Sequence, residues 1–176
     1  MEIVFAGFGG QGVLTSGLIV AYIAMKNDYE VLWSPAYGGE MRGGKAYSMV
    51  KFDHTEIAEP NITELDALVA MNRPSLEFCE NLKPNGLLIV NSDTISDEVL
   101  DSYAFRTIRI PINRLAQQAG SGKTVNIVSV GALIRSMGIF DREKAEEIMC
   151  LFFEEKGKGV FNRTNRVAFG LGYEYE

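Results

Sequence analysis

The residues of this chain with the best prospect of chemistry sit in two glycine-rich segments. Gly7-Phe8-Gly9-Gly10-Gln11-Gly12 satisfies the spacing G-x-G-x-x-G. It follows a short apolar, β-prone run, Ile3 to Ala6, and precedes an almost wholly apolar stretch from Gln11 to Met25. A strand, a glycine turn and a helix in that order are the context in which this spacing carries meaning. Glycines let a ligand approach the backbone closely, and the helix N-terminus offers unpaired N–H groups to an anion. A dinucleotide site also needs an acidic residue about 20 positions on, at the end of the second strand, to hold the ribose hydroxyls. Here that strand is expected to end at Trp33-Ser34-Pro35, with Glu30 near its start, so the pattern argues against a nicotinamide cofactor. Two readings of the turn stay open: contact with a phosphate-bearing ligand or a partner chain, or glycines that serve packing alone.

The second segment is Pro35-Ala36-Tyr37-Gly38-Gly39-Glu40-Met41-Arg42-Gly43-Gly44, with four glycines among the seven positions 38–44. Glycine loses more backbone entropy on ordering than any other residue, so such a loop suits a place where something must come close. Arg42 can present a forked guanidinium to a carboxylate or phosphate, or pair with Glu40. Tyr37 can stack on a ligand or fill the loop. In an α/β sheet the carboxyl end of the second strand lies beside that of the first, so the two loops are expected to be neighbours.

Other chemistry-bearing residues form no set. Gly120-Ser121-Gly122-Lys123-Thr124 looks like the tail of a phosphate-binding loop, but Gln117 stands where the leading glycine is required, and a helical stretch precedes it. His54, the only histidine, lies in an expected turn after Asp53. Asp66, Asp93 and Asp97 show no paired spacing for acid–base work. Cys79 and Cys150 are far apart and no CxxC occurs, so free buried thiols are expected, and no zinc or iron–sulfur site is expected from this chain. No nucleophile–base pair emerges, hence no self-contained active site.

The elements that must position the loops read as follows. Strands are expected at Ile3 to Ala6, Glu30 to Ser34 (closed by Pro35), Ala46 to Phe52, Asp66 to Met71, Leu87 to Val90 and Phe105 to Ile110. Helices are expected at Gln11 to Met25, after Pro74, after a Ser96 cap to Leu100, and over Ile112 to Ala119. Three more follow: from an Asn126 cap to Met137, from Asp141 onward, and a last one with Val160, Thr164, Val167, Ala168 and Leu171 on one face. Strands and helices alternate before helices take over, which implies a single α/β domain over residues 1–176. Its mostly parallel sheet is covered by helices in a Rossmann-like, three-layer arrangement with a helical C-terminal segment.

With 176 residues, 47% apolar and 23% charged, the composition is that of an ordinary globular protein. The net charge of −6 argues against nucleic acid as a partner. The longest apolar run, Leu18 to Met25, is short of the ~20 residues of a spanning helix. With neither a basic leader nor a cleavage site before the first glycine turn, a cytoplasmic location is expected.

Gly9-Gly10-Gln11-Gly12, followed by Trp33-Ser34-Pro35-Ala36-Tyr37-Gly38-Gly39-Glu40-Met41-Arg42-Gly43-Gly44, resembles the γ subunit, or equivalent domain, of 2-oxoacid:ferredoxin oxidoreductases. Asn126-Ile127-Val128-Ser129-Val130-Gly131 is similar to that family's Asn-containing helix start. The three motifs occur in order and the resemblance spans essentially the whole chain. Their form looks most like the 2-oxoglutarate-type branch, although Lys45 stands where a small or hydroxyl residue would be expected. The resemblance implies a complex that decarboxylates a 2-oxoacid on thiamine diphosphate, passes electrons through iron–sulfur clusters to ferredoxin, and releases an acyl-coenzyme A. It implies that thiamine diphosphate, Mg and the clusters belong to partner α and β subunits, with a δ subunit as a further candidate. This chain would dock near the coenzyme A region, with Gly9, Gly10, Gln11, Gly12, Tyr37, Arg42 and Asn126 as the residues facing ligand. A stand-alone nucleotide-binding protein and a purely structural assembly subunit remain as alternatives.

Overall fold

The computed structural model describes residues 1–38, 44–100 and 103–175. Six strands form one sheet: β1 (Glu2–Phe8), β2 (Glu30–Tyr37), β3 (Lys45–Asp53), β4 (Leu65–Ala70), β5 (Leu82–Asn91) and β6 (Arg106–Ile110), in the spatial order β2-β3-β1-β4-β5-β6. β1, β4, β5 and β6 pair in parallel, whereas β3 is antiparallel to both β1 and β2. The mostly parallel α/β sheet expected from the sequence is present, with one difference. β2 does not pair with β1, because β3 is inserted between them. Two antiparallel pairings leave β2 running in the same direction as β1, so every strand except β3 ends on one rim.

Central strands are apolar on both faces because both faces are covered. Ile3 and Phe5 of β1, Ala67 and Val69 of β4, and Leu87 and Ile89 of β5 enter one core, while Val4, Ala6, Leu68, Ala70, Leu88 and Val90 enter the other. The first core is built with α1 (Val13–Met25), α3 (Ile112–Gln118), α4 (Val125–Met137), α5 (Arg142–Glu155) and α6 (Asn162–Tyr173). The second is thin, closed by a 3-10 segment, Arg73–Asn81, and the short α2 (Asp97–Leu100). The three layers are therefore unequal. Close approach of α1 to the sheet depends on Gly17, where a side chain would run into the Ser48 hydroxyl that accepts from Trp33 Nε1 at 2.7 Å.

Four expectations need correction. Pro35 does not end β2, which runs on to Tyr37 with Pro35 opposite Ser48. β2 has a neighbour on one side only, and an edge strand tolerates a residue with no N–H. β5 begins at Leu82, with a register irregularity before the regular pairing at Leu87. Asn126 is not the cap of α4 but lies inside its first turn, after a 3-10 turn Gly122–Thr124 that Ser121 caps. The buried face of α6 is Asn165, Ala168, Phe169 and Gly172, whereas Val160 and Val167 are 82% and 48% exposed. A side chain on Gly131 would strike the Phe169 carbonyl, and one on Gly172 the Val128 carbonyl. Backbone-to-backbone contact at Gly131 and Gly172 thus fixes which face of α6 turns inward. Among the described residues no helix is long and apolar enough to cross a membrane.

Candidate ligand-binding rim

The turn between β1 and α1 is held by its own chain. Gln11 N–H donates to the Phe8 carbonyl at 3.1 Å, and Gly10 and Gly12 have φ of 96° and 73°. This left-handed region costs any L-residue with a Cβ about 1–2 kcal/mol, so glycine is required at both. Gly12 caps α1 without a side chain, and no other side chain caps this helix. The first-turn amides of an α-helix have no intrahelical partner, so α1 opens onto the rim with bare N–H groups and the positive end of its dipole.

The second glycine segment adjoins this turn. Gly9 N–H donates to the Gly44 carbonyl at 3.1 Å, and Gly38 N–H to the Lys45 carbonyl at 2.6 Å. Between them opens a cleft of about 200 Å³, lined by Phe8, Gly9, Gly10, Thr15, Tyr37 and Ala46 among others. Tyr37 is 72% exposed at the mouth. Lys45 stands next to the cleft and is paired to Glu77 Oε2. Arg42, the guanidinium expected here, lies outside the described residues.

Gln11 has a different use from the one expected. Its Oε1 accepts from Phe8 N–H at 2.7 Å and from Asn72 Nδ2 at 3.0 Å, while its Nε2 donates to the Met71 carbonyl at 3.4 Å. The side chain therefore fills the crevice between β1 and β4, where the strand order reverses and ligands of open α/β sheets commonly bind. The open space lies on the β3 side instead. Asn72 and Ser75, which the sequence reading passed over, complete this arrangement: Asn72 Oδ1 accepts from Ser75 N–H at 3.1 Å and from its hydroxyl at 2.8 Å. The signal was an Asn two residues before Pro74, a helix-cap pattern.

Asn126 packs behind the turn. A Cβ on Gly12 would lie 2.9 Å from Asn126 Cβ, which brings the start of α4 against the start of α1. Ser16 Oγ donates to the Asn126 carbonyl at 3.3 Å and lies 3.2 Å from Ser129 Oγ, tying the two helices. Asn126 is 9% exposed, and its side chain makes no hydrogen bond among the described residues. Gly9, Gly10, Gly12, Tyr37 and Asn126 are thus brought to one rim, with Gln11 spent internally.

Among the described residues no acid stands at the rim end of β2, and Glu30 lies at its far end. His54 sits beyond β3 at the opposite rim, stacked on Tyr29 with ring centroids 4.1 Å apart. Gly122–Thr124 forms a 3-10 turn after a helix, not the strand-to-helix loop of a phosphate-binding motif. Cys79 and Cys150 are free and buried. Among the described residues no group of three or more His, Cys, Asp or Glu side chains could hold a metal. The rim can receive an anion or amide-bearing ligand through backbone N–H groups, and among the described residues it presents no nucleophile with a base.

Residues 2–175 match the pyruvate ferredoxin/flavodoxin oxidoreductase family. The chain belongs to that family. The 2-oxoglutarate synthase subunit KorC of Methanocaldococcus jannaschii is 30% identical over 176 residues, covering 98% of this chain and 92% of KorC. Ketoisovalerate oxidoreductase subunit VorA of Methanothermobacter thermautotrophicus is 33% identical over 161 residues, covering 90% of this chain. This chain spans only 33% of VorA's length. The crystal structure of the γ subunit of a keto/oxoacid ferredoxin oxidoreductase from Geobacter sulfurreducens superposes with a TM-score of 0.82 at 31% identity. That match covers 98% of this chain and 96% of the Geobacter chain, so the family relation extends through the whole fold.

Proposed function

We propose that this chain is the γ-type subunit of a 2-oxoacid:ferredoxin oxidoreductase, with 2-oxoglutarate as the favoured substrate. Partner α and β subunits, with δ as a further candidate, would carry thiamine diphosphate, Mg and the iron–sulfur clusters. Ferredoxin would take the electrons. Membership of the family and near full-length similarity to KorC support this assignment.

The single observation that gives the chain a role beyond scaffolding is the uncapped start of α1, opening into the cleft beside Gly9, Gly10 and Tyr37. A phosphate of coenzyme A fits there by chemistry: helix N-termini bind such anions through backbone N–H groups and dipole alone. The unpartnered Asn126 amide would add a hydrogen bond to an arriving polar group. Coenzyme A itself would supply the thiol that accepts the acyl group. The residues of this chain bind and orient.

The test is reconstitution. The isolated chain is expected to be inactive, and the assembled complex to oxidise 2-oxoglutarate in a coenzyme A-dependent manner. Gly9→Val in the assembled complex is expected to raise KM for coenzyme A with little change in the KM for the 2-oxoacid. Unchanged kinetics with intact assembly would favour a purely structural subunit. Saturable NAD(H) binding by the isolated chain would overturn the assignment in favour of a stand-alone nucleotide-binding protein.

A further inference from the structure

Residues 120–124 do not make a phosphate-binding motif in sequence, yet the fold carries them to the rim. α1 and α4 start side by side and run in the same direction. A Cβ on Gly12 would lie 2.9 Å from Asn126 Cβ, and Ser16 Oγ lies 3.2 Å from Ser129 Oγ. The 3-10 turn Gly122–Thr124 leads straight into α4. Residues three apart in such a turn lie nearly above one another. Lys123 therefore stands on the side of Asn126, level with the first glycine turn. It is exposed and forms no ion pair among the described residues.

The potential at this junction has one sign. α1 and α4 are 13 residues long, and neither has an acidic residue in its first turn or a side-chain cap. Their dipoles place two positive ends together, and Lys123 adds a full charge in front of them. The two segments supply no acid in answer: no Asp or Glu lies between Glu2 and Asp28, nor between Asp101 and Asp141, on a chain of net charge −6. Like-signed contributions of this kind repel one another unless an anion comes between them. Asn126 is turned towards the same place. Its side chain, without a hydrogen bond among the described residues, has Nδ2 3.7 Å from where a Cβ on Gly12 would stand, so the amide faces the start of α1.

We propose that the junction of α1 and α4 binds a second phosphoryl group of the coenzyme, with Lys123 as its charge partner and Asn126 as a hydrogen-bond donor. The proposal rests on the coenzyme A reading above. Coenzyme A carries a diphosphate and a separate 3′-phosphate, so a molecule seated on the glycine turn has a further phosphoryl group to place. The cleft on the β3 side holds about 200 Å³, against roughly 300–1,000 Å³ for a site that encloses a small molecule. Part of the coenzyme must lie outside that cleft, and the α4 side of the turn is where the chain offers positive charge.

The experiment measures steady-state kinetics of the assembled oxidoreductase with coenzyme A and with dephospho-coenzyme A, which lacks the 3′-phosphate. Lys123→Met is expected to raise KM for coenzyme A about tenfold, with little change in the KM for the 2-oxoacid. Lys123→Arg is expected to keep KM near the unaltered value. A rise confined to coenzyme A identifies the 3′-phosphate as the bound group, and an equal rise with both substrates identifies the diphosphate; either result supports the proposal. An unchanged KM for coenzyme A in Lys123→Met overturns it. If Gly9→Val still raises that KM, the coenzyme A reading stands while this proposal falls, and if neither variant does, both fall. A Lys123→Met chain that assembles poorly, with KM unaltered in the complex that does form, would assign the lysine to a contact with another subunit and likewise overturn the proposal.

Discussion

Alanine placed at Gly9, Gly10 and Gly12 in turn should separate what the fold demands of the first glycine turn from what a ligand demands. Gly9 lies outside the left-handed region and has open space where a Cβ would go, so Gly9→Ala is expected to shift the melting temperature by no more than about 2 °C. Gly10 also faces open space, but its φ of 96° is unfavourable for alanine. A conformational cost of about 1.5 kcal/mol corresponds to a fall of about 3–6 °C for a chain of this length. Gly12 combines a φ of 73° with a Cβ position 2.9 Å from Asn126 Cβ. Strain and overpacking together come to about 3 kcal/mol, a fall of about 6–12 °C. The assay is scanning calorimetry of the three variants beside the unaltered chain. Equal melting of Gly12→Ala and Gly9→Ala would refute the packing of α1 against α4 as the reason for glycine there. In the assembled complex the order should reverse in significance: a Gly9 variant that folds normally yet loses coenzyme A affinity reports a ligand approaching from outside.

Two further outcomes follow from the same coordinates. Gln11→Leu leaves Phe8 N–H and Asn72 Nδ2 without their shared acceptor, and a stranded buried donor costs about 1–3 kcal/mol. Its urea midpoint should fall accordingly, and an unchanged midpoint would show that Gln11 does not brace the crevice. Burial pushes the Cys79 thiol up to about 11 from an ordinary value of 9.0. The folded state thus favours the neutral thiol. The resulting stabilisation is fully present below pH 9 and is lost as pH rises towards 11. Cys79→Ala should flatten the decline of stability between those pH values relative to the unaltered chain, and identical slopes would count against a buried thiol.

The chain's local chemistry could be read without coordinates wherever a residue acts through its own backbone or its immediate neighbours. The strand–glycine turn–helix unit and the start of α5 at Asp141, whose side chain accepts from Lys144 N–H, both fall in this class. So does the adjacency of the two glycine loops, although it was reached through a β1–β2 pairing that does not exist. The insertion of β3 could not be read. An antiparallel strand and a parallel one share the same alternation of side chains, and only long-range pairing decides between them. Gln11 looked free for a ligand because its partners Met71 and Asn72 are 60 or more positions away. The face of α6 was misjudged because periodicity records which side is apolar, not which side can come closest.

Sequence alone therefore determined the class of fold and the two glycine segments, since each depends on residue type and short spacing. Tertiary structure decided which crevice is open, where the Asn126 amide lies and which stripe of α6 is left to solvent. Those depend on contacts between segments distant in the chain, where the lack of room for a Cβ at Gly12, Gly131 or Gly172 outweighs local preference.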